Sequence, residues 1–335
     1  VSTGSFAVNV HHHPWIKEAD IVCLNWINQG LLGIGGVRQL HLMGKKIVWT
    51  LHDMWAMTGI CHHAYECDHY LDKCGECPFL SGGGKPTDMS HKYWKKKLRL
   101  YDEVPIHFVT VSHWLEKAAR HSSLLNGRDI RTIHNPFPIN QFYVNPPRDL
   151  YSIVTPEKPY VLLFGAARID DPIKGIDYTI DALNYIFDNH PEIASKTCIY
   201  FFGNQKDPQV LDRLRFSHRS LGLITDFKII RYLYSIATAV ISTSLYETLG
   251  GTLVEGQAGG ALPVTFGIDG RADVVEHLKN GYIARYKDYR DVAEGILWAI
   301  NSKIPREELH ESVRERFSGP AIAGQYTALF SEIID

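Results

Sequence analysis

The chain has 335 residues, enough for about two domains of ordinary size. Hydrophobic residues make up 45%, and 35 Lys plus Arg stand against 37 Asp plus Glu, a net charge of -2. That balance excludes a broadly basic nucleic-acid binder and a solvated acidic tail, while 14 Phe, 17 Tyr and 7 Trp exclude disorder for the bulk of the chain.

In the first half, short β-branched runs predict strands at 21–26, 46–51 and 107–111. Helices are expected over 37–43, 91–102 and 113–121, the last starting behind Ser112, a good N-cap. A strand at 130–133 runs into Asn135-Pro136, and the segment 136–159, with Pro138, Pro146, Pro147 and Pro156, reads as a linker. The second half opens with a buried strand at 160–164 ending in Gly165. Ile176, Ile180, Leu183 and Phe187 recur at helical spacing and predict a helix over 175–190. Strands at 198–202, 239–242 and 262–265, and helices at 252–260, 292–301 and 321–334, complete the pattern.

This alternation predicts an α/β fold of two Rossmann-like, doubly wound domains facing a cleft. The expected division is an N-terminal domain over 1–150 with a Cys-rich loop at 53–90, a C-terminal domain over 151–319, and a last helix, 320–335, packing back on the first domain. The longest uncharged run, 21–37, holds Asn25, Asn28 and Gln29 and falls short of the roughly 20 apolar residues of a bilayer helix, so it reads as a strand and a flexible loop.

Two glycine motifs fail on inspection. Gly33-Ile34-Gly35-Gly36-Val37-Arg38 ends in Arg where a dinucleotide fingerprint needs Gly, and Gly82-Gly83-Gly84-Lys85 is followed by Pro86 where a phosphate loop needs Ser or Thr. Both read as plain glycine loops. No Asp-x-Asp pair is present to hold a divalent ion against a diphosphate, so no catalytic metal is expected.

A better anion site lies in the second half. Arg168 and Lys174 follow the strand ending at Gly165, and Gly250-Gly251-Thr252 follow the strand at 239–242 and open a helix. Free amides and the positive end of the helix dipole make such a turn an anion cradle. Glu247 precedes the turn, and Glu255 lies one helical turn inside it; carboxylates there can accept hydrogen bonds from sugar hydroxyls.

In the first half, Cys61, Cys67, Cys74 and Cys77 fall close together, the last two with knuckle spacing. Four thiolates suit a closed, structural zinc site that would order the long loop at 53–90. One or two disulfides, or free thiols, are the alternatives, with His62, His63 and His69 as substitute ligands. Cys23 and Cys198 sit in predicted strands and are expected to be buried.

Glu247-x7-Glu255 followed by Gly259-Gly260-Ala261-Leu262-Pro263-Val264, with Phe164-Gly165…Arg168…Lys174-Gly175 upstream, resembles family-4 retaining glycosyltransferases of the GT-B fold. Ile133-His134-Asn135-Pro136 and Gly270-Arg271-Ala272-Asp273…Asn280-Gly281-Tyr282 match further family segments, and 52–78 resembles the subset acting in bacterial surface-polysaccharide assembly. The resemblance implies a nucleotide-sugar donor, with Arg168, Lys174 and the turn Gly250, Gly251, Thr252 on its diphosphate. It also implies Glu255 on the ribose, Glu247 on the transferred sugar and His52 approaching that sugar from the first domain. The strand and glycine-rich loop that open such enzymes have no counterpart before Ile21, so the first domain is expected to be truncated.

A glycan or lipid-linked acceptor is implied, with a cytoplasmic location. The basic, aromatic helix at 91–100 is a candidate for peripheral contact with an anionic membrane, or a plain solvated face. A nucleotide-sugar epimerase and a non-catalytic nucleotide- or sugar-binding protein are the rival readings.

Overall fold

A computed structural model describes residues 1–4, 7–28, 30–146 and 156–335. The chain forms two compact units, Val1–His134 with Gly324–Asp335, and Asn135–Ala323. Part of the expected linker, 147–155, lies outside the described residues.

The first unit holds α1 (Pro14–Glu18), β1 (Ile21–Leu24), α2 (Ile34–Leu42), β2 (Lys46–Leu51), α3 (Met89–Glu103), β3 (Ile106–Thr110), α4 (His113–His121) and β4 (Ile130–Thr132). Its strands pair in parallel in the order β1-β2-β3-β4. Ser112 caps α4 as expected, its hydroxyl accepting from the Leu115 N–H at 3.1 Å. The Gly33–Gly36 segment is not a loop: Gly33 caps α2, and Gly35 and Gly36 lie in its first turn. A Cβ on Gly36 would come within 2.5 Å of the Leu32 side chain and one on Gly33 would lie 2.7 Å from Gly4 O, so these two glycines serve close packing. Cys198 is buried, whereas Cys23 is exposed because its strand turns that position outward.

The second unit holds β5 (Tyr160–Arg168), α5 (Ile176–Asn189), α6 (Pro191–Ala194), β6 (Thr197–Asn204), β7 (His218–Ser220), α7 (Phe227–Ile236), β8 (Ala239–Ser242), α8 (Gly251–Ala258), β9 (Leu262–Phe266), β10 (Tyr282–Ala284), α9 (Tyr289–Asn301), α10 (Arg306–Phe317) and the first turn of α11 (Gly319–Ile334). Gly324 and the residues after it in α11 group with the first unit, where the Tyr326 hydroxyl meets Thr50 Oγ1 at 2.9 Å.

The second sheet is parallel in the order β10-β9-β8-β5-β6-β7. β5 starts the sheet, β6 and β7 extend it one way, and β8, β9 and β10 extend it the other. The strand order therefore reverses between β5 and β8, and the crossover loops diverge at their carboxyl ends. Such a switch point is where open α/β sheets take their ligands. Leu162, Phe164, Ile180, Leu183, Ile199 and Ile241 pack the core beneath it, all buried.

Candidate functional site

Both loops at the switch point carry the residues singled out by the sequence. β5 ends at Arg168, and Asp171 then caps a short 3-10 turn, Pro172–Lys174. Gly175 follows in the left-handed region at φ 60°, where a Cβ would lie 2.2 Å from the Thr243 carbonyl oxygen. The turn is stitched to the loop after β8: the Leu245 N–H donates to Ile173 O at 2.7 Å, and the Thr243 hydroxyl donates to Gly175 O at 2.8 Å. The Lys174 ammonium meets Glu247 Oε1 at 2.7 Å.

Arg168 is reached through Asp171. The Asp171 carboxylate pairs with Arg168 Nη2 at 2.7 Å and accepts from the Ile173 N–H at 3.2 Å, so one carboxylate ties the guanidinium to the lysine's turn. Arg168 Nε lies 3.7 Å from Asp170, too far for a hydrogen bond, and is buried with no acceptor. Asp170 is itself occupied by the N–H groups of Lys206 and Asp207 at 2.9 and 2.8 Å, which hold its carboxyl below the usual range.

The loop after β8 is clamped by a pair absent from the sequence expectation. Arg271 and Asp269 are buried and form a bidentate pair, Nε to Oδ1 at 2.8 Å and Nη2 to Oδ2 at 2.9 Å. Arg271 Nη1 also donates to Ser244 O at 2.6 Å, and Asp269 Oδ2 accepts the Glu247 N–H at 2.8 Å. Both ends of the 244–247 segment are thereby fixed, which sets the backbone carrying Glu247. Gly250 at φ 90° then turns the chain into α8, where a Cβ would lie 2.9 Å from Arg271 Cγ. The amides of Gly251 and Thr252 start α8 and have no acceptor within the helix.

Glu255 lies on α8, and its Oε2 accepts the hydroxyl of buried Tyr234 at 2.8 Å. Burial raises its carboxyl above the ordinary value, with the tyrosine hydrogen bond acting against the rise. One carboxylate oxygen remains beyond that bond.

In the first unit, His52 follows β2, with Nε2 3.0 Å from Asn25 Oδ1. Burial lowers its pKa, against the pull of Asp53, so the ring is neutral at pH 7. Asp53 is a hub: it accepts from the Trp55 N–H at 2.7 Å and Trp26 Nε1 at 3.0 Å, and pairs with His62 Nδ1 at 2.6 Å. Burial would raise its carboxyl, but these hydrogen bonds and the His62 charge hold it below its usual value.

Cys61, Cys74 and Cys77 are buried and Cys67 is partly buried, all as free thiols. Cys61 and Cys77 share a hydrogen bond, yet among the described residues no three of the sulfurs lie within 4.8 Å of one another. That is looser than a metal-filled tetrahedron, whose sulfurs stand about 3.8 Å apart for a Zn–S bond of about 2.3 Å. In the basic helix, Lys92, Lys95, Lys96 and Arg99 are exposed, but Lys97 is buried, so it is no part of a solvated or membrane-facing surface.

Residues 152–316 match the family described as glycosyl transferases group 1. The chain carries a glycosyltransferase domain. An uncharacterized glycosyltransferase of Methanocaldococcus jannaschii is 24% identical over 278 residues, 80% of this chain and 67% of that protein. A poly(ribitol-phosphate) alpha-N-acetylglucosaminyltransferase of Staphylococcus aureus is 31% identical over 97 residues, 28% of this chain and 20% of that protein. Among solved structures, Anabaena HepE in complex with UDP superposes with a TM-score of 0.67 at 17% identity, covering 94% of this chain and 79% of that one. The two parallel sheets are those of the GT-B glycosyltransferase fold. Among the described residues no helix is long and apolar enough to cross a membrane.

Proposed function

We propose that this glycosyltransferase transfers a sugar, with retention of configuration, from a nucleoside diphosphate sugar to a glycan or lipid-linked acceptor in polysaccharide synthesis. The observation that carries this reading is the stitching of the Lys174 turn to the β8–α8 loop at the switch point of the second sheet. Breaking the sugar–phosphate bond leaves negative charge on the diphosphate. In this proposal Arg168, Lys174 and the Gly251 and Thr252 amides hold that group and stabilise the growing charge. Glu255 binds the ribose hydroxyls through the oxygen that Tyr234 leaves open. Glu247, bonded to the Lys174 ammonium, contacts the transferred sugar.

The UDP in the HepE structure makes a uridine diphosphate sugar the first donor to test. The polymer-modifying relative supports a repeating glycan or polyol acceptor. The exposed Lys92, Lys95, Lys96 and Arg99 of α3 would let the enzyme rest on an anionic membrane that carries a lipid-linked acceptor. The test is incubation with a panel of nucleotide sugars, with and without candidate acceptors, while nucleoside diphosphate release is followed. Release that rises with acceptor, together with a new glycosidic product, supports the reading. An altered free sugar formed without acceptor indicates an epimerase, and binding without turnover of any donor indicates a non-catalytic module; either would displace it.

A further inference from the structure

The first unit holds a hydrogen-bonded chain of three side chains that the proposed sugar transfer does not use. Ser2 Oγ lies 2.9 Å from His62 Nε2, and His62 Nδ1 lies 2.6 Å from Asp53 Oδ2. A carboxylate only accepts hydrogen bonds, so His62 carries a proton on Nδ1 and donates it to Asp53. In the neutral ring Nε2 is then an acceptor, and it faces the serine hydroxyl. A hydroxyl against a basic nitrogen, with the far side of the ring held by a carboxylate, is the arrangement that turns an alcohol into a nucleophile.

The three residues come from separate stretches of chain, and backbone bonds hold each in place. The Ser2 N–H donates to Ile60 O at 2.9 Å, and Ser2 O accepts Trp55 Nε1 at 2.8 Å. The N–H of buried Trp55 donates to Asp53 Oδ1 at 2.7 Å, so one tryptophan positions both the hydroxyl and the carboxylate ends of the chain. The Met54 N–H donates to His62 O at 2.9 Å and draws the histidine to the same turn. Gly4, at φ 61°, packs on the indole, where a Cβ would lie 3.0 Å from two ring carbons of Trp55. These contacts already anchor residues 1–4, so the bond between Ser2 and His62 is not needed to tie the segment down.

The group is reachable. Ser2 is half-buried, and the His62 and Asp53 side chains are 21% and 14% exposed. The exposed Trp26 ring stands 5.8 Å from the His62 ring, while its Nε1 is taken up by Asp53 at 3.0 Å. Among the described residues no lysine or arginine forms an ion pair with Asp53, so no cation bonded to the group draws an anionic substrate. The indole instead offers an apolar wall to an uncharged acyl group.

We propose that Ser2, His62 and Asp53 form an acyl-transfer site that takes an uncharged carboxylic ester. His62 Nε2 removes the hydroxyl proton as Ser2 Oγ bonds to the acyl carbon. The ester C–O bond then breaks, the alcohol leaves with the proton from His62, and the acyl group remains on Ser2 Oγ. Water, giving a proton to His62, attacks this acyl group; the carboxylic acid departs and Ser2 recovers its proton. Asp53 keeps the ring oriented and stabilises the imidazolium formed at each stage.

The test uses the full chain and no nucleotide sugar, so its outcome is separate from that of the transferase reading. A fluorophosphonate, which phosphonylates activated serines, is expected to add one equivalent, located at Ser2 by mass spectrometry. p-Nitrophenyl acetate, whose aryloxide leaves readily, is expected to release a burst of one equivalent of p-nitrophenolate and then turn over. Ser2→Ala should abolish both reactions, and His62→Gln should slow both by at least about 100-fold. Because His62→Gln can disturb the loop, Ser2→Ala, which removes only a hydroxyl, is the deciding variant, with its fold checked by circular dichroism. A chain that labels no faster than its urea-unfolded form, a label on another residue, or a folded Ser2→Ala that reacts like the parent would overturn the site. Parent-like labelling in folded His62→Gln would overturn the role given to the histidine.

Discussion

Replacing Arg271 with methionine removes the clamp beneath the loop after β8 while keeping much of its volume. The wild-type guanidinium makes two bonds to Asp269 at 2.8 and 2.9 Å and one to Ser244 O at 2.6 Å, with the two side chains 0% and 2% exposed. Methionine leaves the Asp269 carboxylate buried with only backbone donors, from Glu247 and residue 271 itself, and leaves the Ser244 carbonyl without this donor. Breaking a buried pair by removing one partner costs about 3–5 kcal/mol. At a urea dependence of about 2–3 kcal/mol per molar, the unfolding midpoint of the second unit should fall by about 1–2.5 M. The Asp269→Asn/Arg271→Met double variant should lose less than Arg271→Met alone, because no buried charge remains. Urea titration followed by fluorescence, with and without nucleotide, reads both effects. An Arg271→Met midpoint within about 0.3 M of the parent would refute the claim that this pair holds the loop.

Three further outcomes follow from the same contacts. Gly250→Ala, at φ 90° and 2.9 Å from Arg271 Cγ, should cost about 1–3 kcal/mol in urea unfolding and weaken nucleotide diphosphate binding. Glu255→Gln should weaken uridine diphosphate binding about tenfold by calorimetry. Since burial raises the Glu255 carboxyl, wild-type affinity should decline with falling pH above the ordinary carboxylate range, a decline the variant should lack. The Asp53 carboxyl is held low in the fold, so its contribution to stability is present above its unfolded pKa of about 3.9 and is lost as pH falls through the folded value. His62→Ala removes its histidine partner and should shrink that acid-dependent part of the stability, read by circular dichroism across an acid series.

The parts of this fold that were legible in the sequence are those governed by local rules. Ser112 announced α4, and the apolar spacing from Ile176 announced α5 with its bounds within a residue. Gly250, the cap of α8, and Gly251, its first residue, announced an amide-lined turn because φ 90° at Gly250 strongly favours glycine. What stayed hidden depends on burial or on distant partners. α7 is rich in aromatic and β-branched residues, and α10 is so charged that its buried Leu309, Val313 and Phe317 give a weak stripe. β7 is exposed along its whole length and offers no alternation.

The same limit applies to the site. Arg168, Lys174 and Glu247 could be chosen from their places after strands, but Asp171 as the link between the two cations could not. Arg271 and Asp269 are close in sequence, yet nothing local says that their pair is buried under the loop. In the sequence Lys97 belongs to a basic run that suggests a membrane-facing or solvated face, because periodicity does not distinguish it from Lys96. The sequence suggests a loop at 33–36 because the packing partners of Gly33 and Gly36, Gly4 O and the Leu32 side chain, are visible only in three dimensions.

The diphosphate cradle is tested most directly by isothermal titration of uridine diphosphate into the parent chain and into Arg168→Ala and Lys174→Ala. Each lost cation removes a charge-assisted hydrogen bond worth about 1.5–3 kcal/mol, so each variant should bind at least about tenfold more weakly. Parent-like affinity in both folded variants would contradict the account.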